Sequence, residues 1–243
     1  MALLEVRGIS VSFGGVRALT DVSLDVDAAC VTGLIGPNGA GKTTLFNVAC
    51  GFQSPNSGRI VLDGRDITEL KPFRRAREGV ARTFQRLEVF GSLTARDNIR
   101  VAAEVRESWD RADSAAADEI ADEILERVGL TTVASERVES LPTGLSRLVE
   151  VGRALATRPC VLLLDEPSSG LDPEETKDLA TLLDGLAADG LAVLLVEHDV
   201  ELVMRACTRI HVLDFGQILA IGTPREVRRN PAVQRAYLGN LVV

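Results

Sequence analysis

The chain of 243 residues lacks long apolar runs and a secretion signal, and these absences limit where it can work. No apolar stretch comes near the about 18 residues that a membrane-spanning helix needs, and residues 191–196 are among the longest. The N-terminus offers no basic segment followed by an apolar signal core. We therefore predict a cytoplasmic protein that reaches a membrane only through its partners.

Metal-binding spacings and an excess of basic charge are also missing. The few cysteines and histidines are scattered: Cys30, Cys50, Cys160, Cys207, His198 and His211. Without paired spacings they predict reduced, packed thiols and neither a zinc site nor a disulfide framework. The net charge of −8 argues against nucleic acid as the main partner. Hydrophobic residues make up 46% of the chain, so an α/β domain of this length can bury a substantial core.

The strongest positive feature is a glycine-rich loop. It reads Gly36-Pro37-Asn38-Gly39-Ala40-Gly41-Lys42-Thr43-Thr44 and fits G-x-x-x-x-G-K-[ST]. The apolar residues 30–35 before it predict a buried strand, and residues 44–50 predict a helix that Gly51 closes. Such a loop wraps phosphates with backbone N–H groups at a helix N-terminus. Lys42 can reach the β- and γ-phosphates and the Thr43 hydroxyl can hold Mg²⁺, so we predict a nucleoside triphosphate site.

Acidic and polar side chains follow other predicted strands. The apolar run 161–164 ends in Asp165 and Glu166, and the run 191–196 is followed closely by His198. Runs of this kind predict parallel strands buried on both faces, whose carboxyl ends bind ligands. Asp165 is a candidate for the Mg²⁺ shell, Glu166 for the attacking water and His198 for the γ-phosphate. Gln85 follows the predicted strand 80–84 and is a weaker candidate for Mg²⁺ or water.

These motifs, in this order, resemble those of ATP-binding cassette (ABC) ATPases. The matching segments are the loop at 36–44, Thr83-Phe84-Gln85, Leu141-Pro142-Thr143-Gly144, Leu164-Asp165-Glu166-Pro167, Ser168-Ser169-Gly170-Leu171-Asp172 and Val196-Glu197-His198-Asp199. They correspond to the Walker A, Q-loop, signature, Walker B, D-loop and H-loop motifs. The resemblance covers nearly the whole chain and predicts an ATPase.

The resemblance implies a fold as well. It is an α/β P-loop NTPase (RecA-like) core with an N-terminal antiparallel β-subdomain and an inserted α-helical signature subdomain. We expect one domain over 1–243, with the core at 1–87 and 159–222, the helical subdomain at 88–158 and a helical tail at 223–243. The segment 109–117 is predicted to be an exposed linker or helix start.

The family also implies roles in nucleotide binding. Phe13 would stack on the adenine of ATP, although an aromatic residue beside a glycine turn is equally typical of a core position. Lys42 and the N–H groups of the loop would hold the phosphates. Thr43, Gln85 and Asp165 would form the Mg²⁺ shell.

Hydrolysis and dimerisation would use a second group of residues. Two subunits would bind head to tail, with each ATP between the P-loop of one and the signature of the other. Glu166 would act on the attacking water and His198 would contact the γ-phosphate. Gly144 would approach the partner's γ-phosphate, and Asp172 would couple the two sites.

Further segments are similar to one importer subfamily, the LivG-like ATPases of branched-chain amino acid importers, whose relatives serve urea and short amides. They are Ser12-Phe13-Gly14-Gly15, Ala81-Arg82-Thr83-Phe84-Gln85, Val203-Met204 and Ala236-Tyr237-Leu238-Gly239. This resemblance implies a second ATPase that is usually a paralogue, two transmembrane permeases and an extracytoplasmic solute-binding protein. The ATPase would lie at the inner face of the membrane, with the surface around residues 85–93 receiving the permease.

The signature departs from the family's L-S-G-G-Q, because Pro142 stands where a serine hydroxyl would bind the partner's γ-phosphate. We expect weaker cross-subunit binding but not loss of activity. Two other readings stay open: the ATPase of a lipid or polysaccharide exporter, and a soluble ABC protein without a permease. The importer-like tail disfavours the first, and the absence of a second cassette or a long coiled coil disfavours the second.

Overall fold

The computed structural model describes residues 2–109 and 116–236. Two sheets build the core. The first is antiparallel, with strand order β2-β1-β4-β5. Its strands are β1 (Ala2–Phe13), β2 (Val16–Asp27), β4 (Ser57–Leu62) and β5 (Arg65–Asp66). Side chains alternate between the two faces of β2, and Val22, Leu24 and Val26 are buried on one face.

The second sheet has six strands in the order β10-β9-β3-β8-β7-β6. They are β3 (Cys30–Ile35), β6 (Val80–Arg82), β7 (Val161–Asp165), β8 (Ala192–Val196), β9 (Arg209–Asp214) and β10 (Gln217–Gly222). All neighbours pair in parallel except β9 and β10. The mostly parallel sheet expected from the buried apolar runs is confirmed.

Helices cover both sides of this sheet. They are α1 (Lys42–Cys50), α2 (Pro72–Arg77), α3 (Ala95–Trp109), α4 (Ala117–Arg127), α5 (Thr143–Ala156), α6 (Pro173–Ala188), α7 (Val200–Ala206), α8 (Pro224–Arg229) and α9 (Pro231–Ala236). The longest insertion between strands carries α3, α4 and α5, together with two 3₁₀ turns at Thr131–Val133 and Val138–Ser140. The domain boundaries stay a prediction. Most of the expected linker at 109–117 and the end of the tail lie outside the described residues.

The core is divided by the parallel sheet. Along β7, Leu162 and Leu164 pack with α5, α6 and the helical insertion, whereas Val161 and Leu163 pack with α1 and the antiparallel sheet. All five residues of β7 are buried, which explains why the strand is apolar on both faces up to its terminal carboxylate. No helix among the described residues is long and apolar enough to cross a bilayer.

One strand is shorter than its sequence predicts. The prediction extends a strand to Phe84, but β6 ends at Arg82. Thr83 still donates its backbone N–H to Leu163 O, at 2.9 Å. The next amide, that of Phe84, instead donates to the Glu150 carboxylate on α5, at 3.0 Å. A side chain from the helical insertion therefore takes over from the sheet at this point and directs the chain away from it.

Candidate functional site

The glycine-rich loop joins β3 to α1 and curls over the start of the helix. At Gly36 a Cβ atom would lie 2.0 Å from the carbonyl oxygen of Leu213 on β9, so any side chain is excluded. Gly41 is the N-cap of α1 with φ of 108°, a backbone conformation that glycine adopts readily. The cap makes no side-chain hydrogen bond, and no acidic residue lies in the first turn. The N–H groups at this helix end are thus offered to an anion.

Lys42 is folded back over the loop that precedes it. Its ammonium donates to the carbonyl oxygens of Gly36 at 2.6 Å and Pro37 at 3.0 Å, and the residue is buried. Burial lowers the pKa of Lys42, and the charges of Glu166 and Asp165 oppose that shift. Phosphate oxygens would offer the ammonium the charged partners that two neutral carbonyls do not.

The loop and three strand ends enclose one cleft of about 290 Å³. It brings together most of the predicted site residues. The cleft is lined by Asn38, Gly39, Ala40, Gly41, Lys42, Thr43, Thr44, Gln85, Asp165, Glu166 and His198, together with Ala18 and Val196. Gly36 and Pro37 do not line the cleft, but their carbonyl oxygens accept the hydrogen bonds from Lys42. Phe13, Gly144 and Asp172 do not line the cleft.

Glu166 is the centre of a small polar group at the cleft. Its carboxylate lies 2.8 Å from Nε2 of His198, 32 residues later in the chain, and 3.4 Å from Nε2 of Gln85, 81 residues earlier. The Glu166 backbone has φ of 53°, an uncommon conformation for a residue with a side chain. Its amide donates to Val196 O on β8 at 2.8 Å, and this bond holds the carboxylate next to His198. A carboxylate and an imidazole so placed can exchange a proton with a water molecule.

Asp165 has a partner that the motifs did not reveal. Arg82, at the end of the neighbouring strand β6, donates from Nη2 to Asp165 Oδ2 at 3.0 Å, and both side chains are buried. Burial raises the pKa of Asp165, and the hydrogen bond from Arg82 works against that rise. Nη1 of Arg82 also donates to Asn47 on α1, at 2.6 Å. One guanidinium thus joins the metal-candidate carboxylate to the helix that follows the loop.

Sequence similarity identifies the family. Residues 19–169 match the family model described as ABC transporter. The chain belongs to this family. It is therefore an ATP-binding cassette that hydrolyses ATP, and residues 217–240 match a second model, described as Branched-chain amino acid ATP-binding cassette transporter.

Curated relatives match the cassette over nearly their full length. It is 42% identical to the high-affinity branched-chain amino acid transport ATP-binding protein BraF of Pseudomonas aeruginosa, covering 98% of both chains. It is 41% identical to LivG of Escherichia coli, a protein of the same description, again covering 98% of both. The lipopolysaccharide export system ATP-binding protein LptB of Haemophilus influenzae is 35% identical over 98% of both chains.

Solved structures agree with the fold. An ATP-binding cassette of an ABC transporter superposes with a TM-score of 0.87 and 32% identity, covering 98% of this chain and 99% of that one. A structure described as the ADP conformation of such a cassette gives 0.84 at 30% identity, with the same coverage. The expected fold, a P-loop NTPase core with an antiparallel β-subdomain and a helical insertion, is confirmed.

The remaining predicted residues of the cassette lie apart from the cleft. Gly144 is in the first turn of α5, where a Cβ atom would lie 2.8 Å from Gly170 O, so the signature packs closely on the D-loop of the same chain. Asp172 is the N-cap of α6 and accepts from the amides of Glu174 and Glu175. Phe13 is half exposed at the β1–β2 turn.

Glu197 is a second residue whose role the motifs did not reveal. Its side chain is buried and accepts from the amides of Ser168 at 2.7 Å and His198 at 3.1 Å. Burial raises its pKa, while these backbone hydrogen bonds oppose the rise. Glu197 therefore holds the D-loop and the H-loop together behind the cleft. Its sequence signal was its place in the H-loop segment, between an apolar strand and His198.

Proposed function

We propose that this cassette powers an importer of branched-chain amino acids or of a related small polar solute. The observation that carries the proposal is the match of residues 217–240 to the branched-chain amino acid transporter model. Full-length identity of 41–42% to BraF and LivG supports it. The transported solute does not contact an ATPase subunit in such an arrangement, so the cleft itself carries no information on which solute is moved.

In this proposal the cleft binds ATP with Mg²⁺. Lys42 exchanges the carbonyls of Gly36 and Pro37 for the β- and γ-phosphates, and the free N–H groups at the start of α1 bind phosphate oxygens. Thr43, Gln85 and Asp165 supply hydroxyl, amide and carboxylate oxygens, the donors that Mg²⁺ prefers. All three line the same cleft, so the residues present fit the ion.

The hydrolytic step then falls to the group around Glu166. Glu166 orients and deprotonates the attacking water, while His198, at 2.8 Å from that carboxylate, contacts the γ-phosphate. The side-chain amide of Gln85 lies 3.4 Å from the same carboxylate. The strained backbone of Glu166 keeps its carboxylate at the cleft without help from the ligand.

A second ATPase subunit, in this family usually a paralogue, completes each site. Gly144 at the start of α5 approaches the partner's γ-phosphate, and Asp172 couples the two sites. Phe13 stacks on adenine: its ring is half exposed at the end of β1, whereas Leu4, Val6, Ile9 and Val11 of the same strand are buried. Stacking on adenine requires an exposed ring, whereas a core residue would be buried.

The permease surface is an apolar groove of about 480 Å³ between the α1–α2 side of the core and the helical insertion. Four large, exposed side chains line it: Phe52, Phe73, Phe90 and Val105. Exposed apolar patches of this kind mark binding surfaces, and a groove of this shape accepts an amphipathic helix. The coupling helix of a permease subunit would bind here, which would hold the cassette at the inner face of the membrane. An extracytoplasmic solute-binding protein delivers the solute.

Co-purification tests the proposal. The tagged cassette, extracted from its own membranes in gentle detergent, should bring with it two multi-span permeases and a second ATPase. Deletion of its gene should then abolish uptake of radiolabelled leucine or of a related solute. Recovery of a soluble or nucleic-acid complex without a permease would contradict an importer.

A lipid or polysaccharide exporter is the second candidate, because identity to LptB reaches 35% over 98% of both chains. If the cassette powers an exporter, permeases should co-purify with it, and no solute-binding protein should be encoded beside them. Loss of an envelope lipid after gene deletion, with leucine uptake intact, would favour it over the importer.

A further inference from the structure

The buried face of α5 holds the Q-loop backbone through charged side chains. Arg147 donates from Nη1 to Phe84 O at 2.7 Å and from Nη2 to Gln85 O. Glu150, one turn later, accepts from Phe84 N–H at 3.0 Å. Both the N–H and the C=O of Phe84, and the C=O of Gln85, are therefore held by α5.

The two side chains also bind each other, and water has little access to them. Arg147 Nη1 lies 3.2 Å from Glu150 Oε2, and the side chains are 9% and 5% exposed. Hydrogen bonds to buried charged groups are among the strong ones in proteins. The hydrogen bonds to the Phe84 and Gln85 backbone join residues 62 to 66 positions apart. They therefore hold the Q-loop against α5 and do not stabilise the helix itself.

This contact lies between two parts of the cassette with proposed roles. Gly144, which is proposed to approach the partner's γ-phosphate, lies in the first turn of the same helix, about one turn before Arg147. Gln85 places its amide 3.4 Å from the Glu166 carboxylate. An α-helix of this length is stiff, so a displacement of its first turn moves the residues one and two turns along with it.

We propose that Arg147 and Glu150 are positioning residues that tie Gln85 to the signature end of α5. Engagement of the partner's nucleotide at Gly144 then shifts Gln85 relative to Glu166, because the Q-loop backbone travels with the helix. The inference rests on the roles proposed above for Gln85 and Glu166. It assigns to this buried ion pair a part in the timing of hydrolysis beyond its part in packing the helical insertion on the core.

A double-mutant cycle on the full chain tests it. Glu150→Ala should lower kcat for ATP hydrolysis about tenfold and leave KM within about twofold, because ATP binding does not use the clamp. Glu150→Gln, which keeps an acceptor for Phe84 N–H, should recover part of the rate. Combined with Gln85→Ala, neither Glu150 variant should lower kcat further, since the clamp acts only through Gln85.

Asn98→Ala is the matched control. Asn98 is fully buried and also holds this loop, but at its far end, where it binds the N–H and C=O of Phe90. The fold-loss in kcat from Asn98→Ala and that from Gln85→Ala should multiply in the double variant, because Asn98 does not act through Gln85. The conservative Glu150→Gln variant keeps the cycle informative if Glu150→Ala does not fold.

Two outcomes overturn the inference in different ways. Multiplied losses in the Glu150→Gln, Gln85→Ala double variant would mean that the ion pair only packs the fold. An unchanged kcat in Gln85→Ala alone would remove the proposed role of Gln85, and the clamp would then have nothing to position. Faster hydrogen exchange at Phe84 N–H in Glu150→Ala is expected whether the ion pair only packs the fold or also positions Gln85. The kinetic cycle therefore distinguishes the two roles.

Discussion

Helices α1 and α6 begin in opposite ways. At α6, Asp172 accepts two backbone N–H groups and Glu175 closes a capping box, so acidic side chains satisfy the helix end. At α1, Gly41 offers no side-chain cap and the first turn has no acid. Among the described helices of eight or more residues, α5 is the other one whose first turn lacks an acid. The two ends proposed to bind phosphate are thus the two that omit the usual acidic stabilisation.

The difference teaches what a phosphate site costs the fold. An acid in the first turn stabilises a helix by about 0.3–1 kcal/mol through the helix dipole, but it would repel a phosphate. The cassette omits this stabilisation at α1 and α5 and retains it at α6. Adding or removing acids at these ends tests whether that contrast reflects function.

The largest effect is expected at α1. Thr44→Glu puts a carboxylate into the cleft at the end of the helix that binds phosphate, and like charges at close range should weaken ATP binding by about 100-fold or more. Thr44→Gln, of equal size and no charge, is the control. Isothermal titration with ATP and Mg²⁺ measures both, and equal affinities for the two variants would contradict the proposed site.

The signature offers the next test. Pro142→Ser restores a hydroxyl that can bind the partner's phosphate, and one charge-assisted hydrogen bond corresponds to about 1.5–3 kcal/mol. We expect the ATP-driven dimer to tighten by tenfold or more in a Glu166→Gln background, where hydrolysis is blocked. Sedimentation measures the dimer constant, and an unchanged constant would refute the cross-subunit role of this helix end.

An acid at α5 should act only between subunits. Thr143→Glu adds a carboxylate to the first turn of α5, and we expect about a tenfold loss of ATP-driven dimerisation with unchanged ATP binding to the single chain. Thr143→Gln serves as the uncharged comparison. Loss of ATP binding by the isolated Thr143→Glu monomer would mean that α5 does not face a partner's nucleotide.

The smallest effect is expected at α6. Asp172→Ala removes the N-cap and should lower the free energy of unfolding by about 1 kcal/mol, whereas Asp172→Asn keeps a capping oxygen and should be close to neutral. Denaturant unfolding measures both. If Asp172→Asn also leaves ATPase activity unchanged, the residue caps its helix and the proposed coupling role through its charge is wrong.

Local patterns predicted the parts of the cassette that depend on neighbours in sequence. The glycine loop and the buried strands β7 and β8 each follow from a few adjacent residues, and the structure contains them all. Asp63 and Gly64, both with positive φ, form the turn between β4 and β5, and Asp-Gly is a typical hairpin dipeptide.

What the patterns did not predict depends on distant partners. The Phe84 amide is captured by Glu150, 66 residues further on, and this ends β6 early. Arg82 lies beside Asp165 although 83 residues separate them. Neither contact has a local signature, because an arginine in a strand or a glutamate in a helix is equally typical of a solvated surface.

The sequence by itself determined that this chain is an ATP-binding cassette, because six motifs in a fixed order indicate nucleotide binding and hydrolysis. Only the tertiary structure decided how those motifs are held. Lys42 folds onto its own loop, Arg82 joins Asp165 to α1, and Arg147 with Glu150 holds the Q-loop. The physical reason is that buried charges need partners, and the folded chain alone determines which distant group lies within reach.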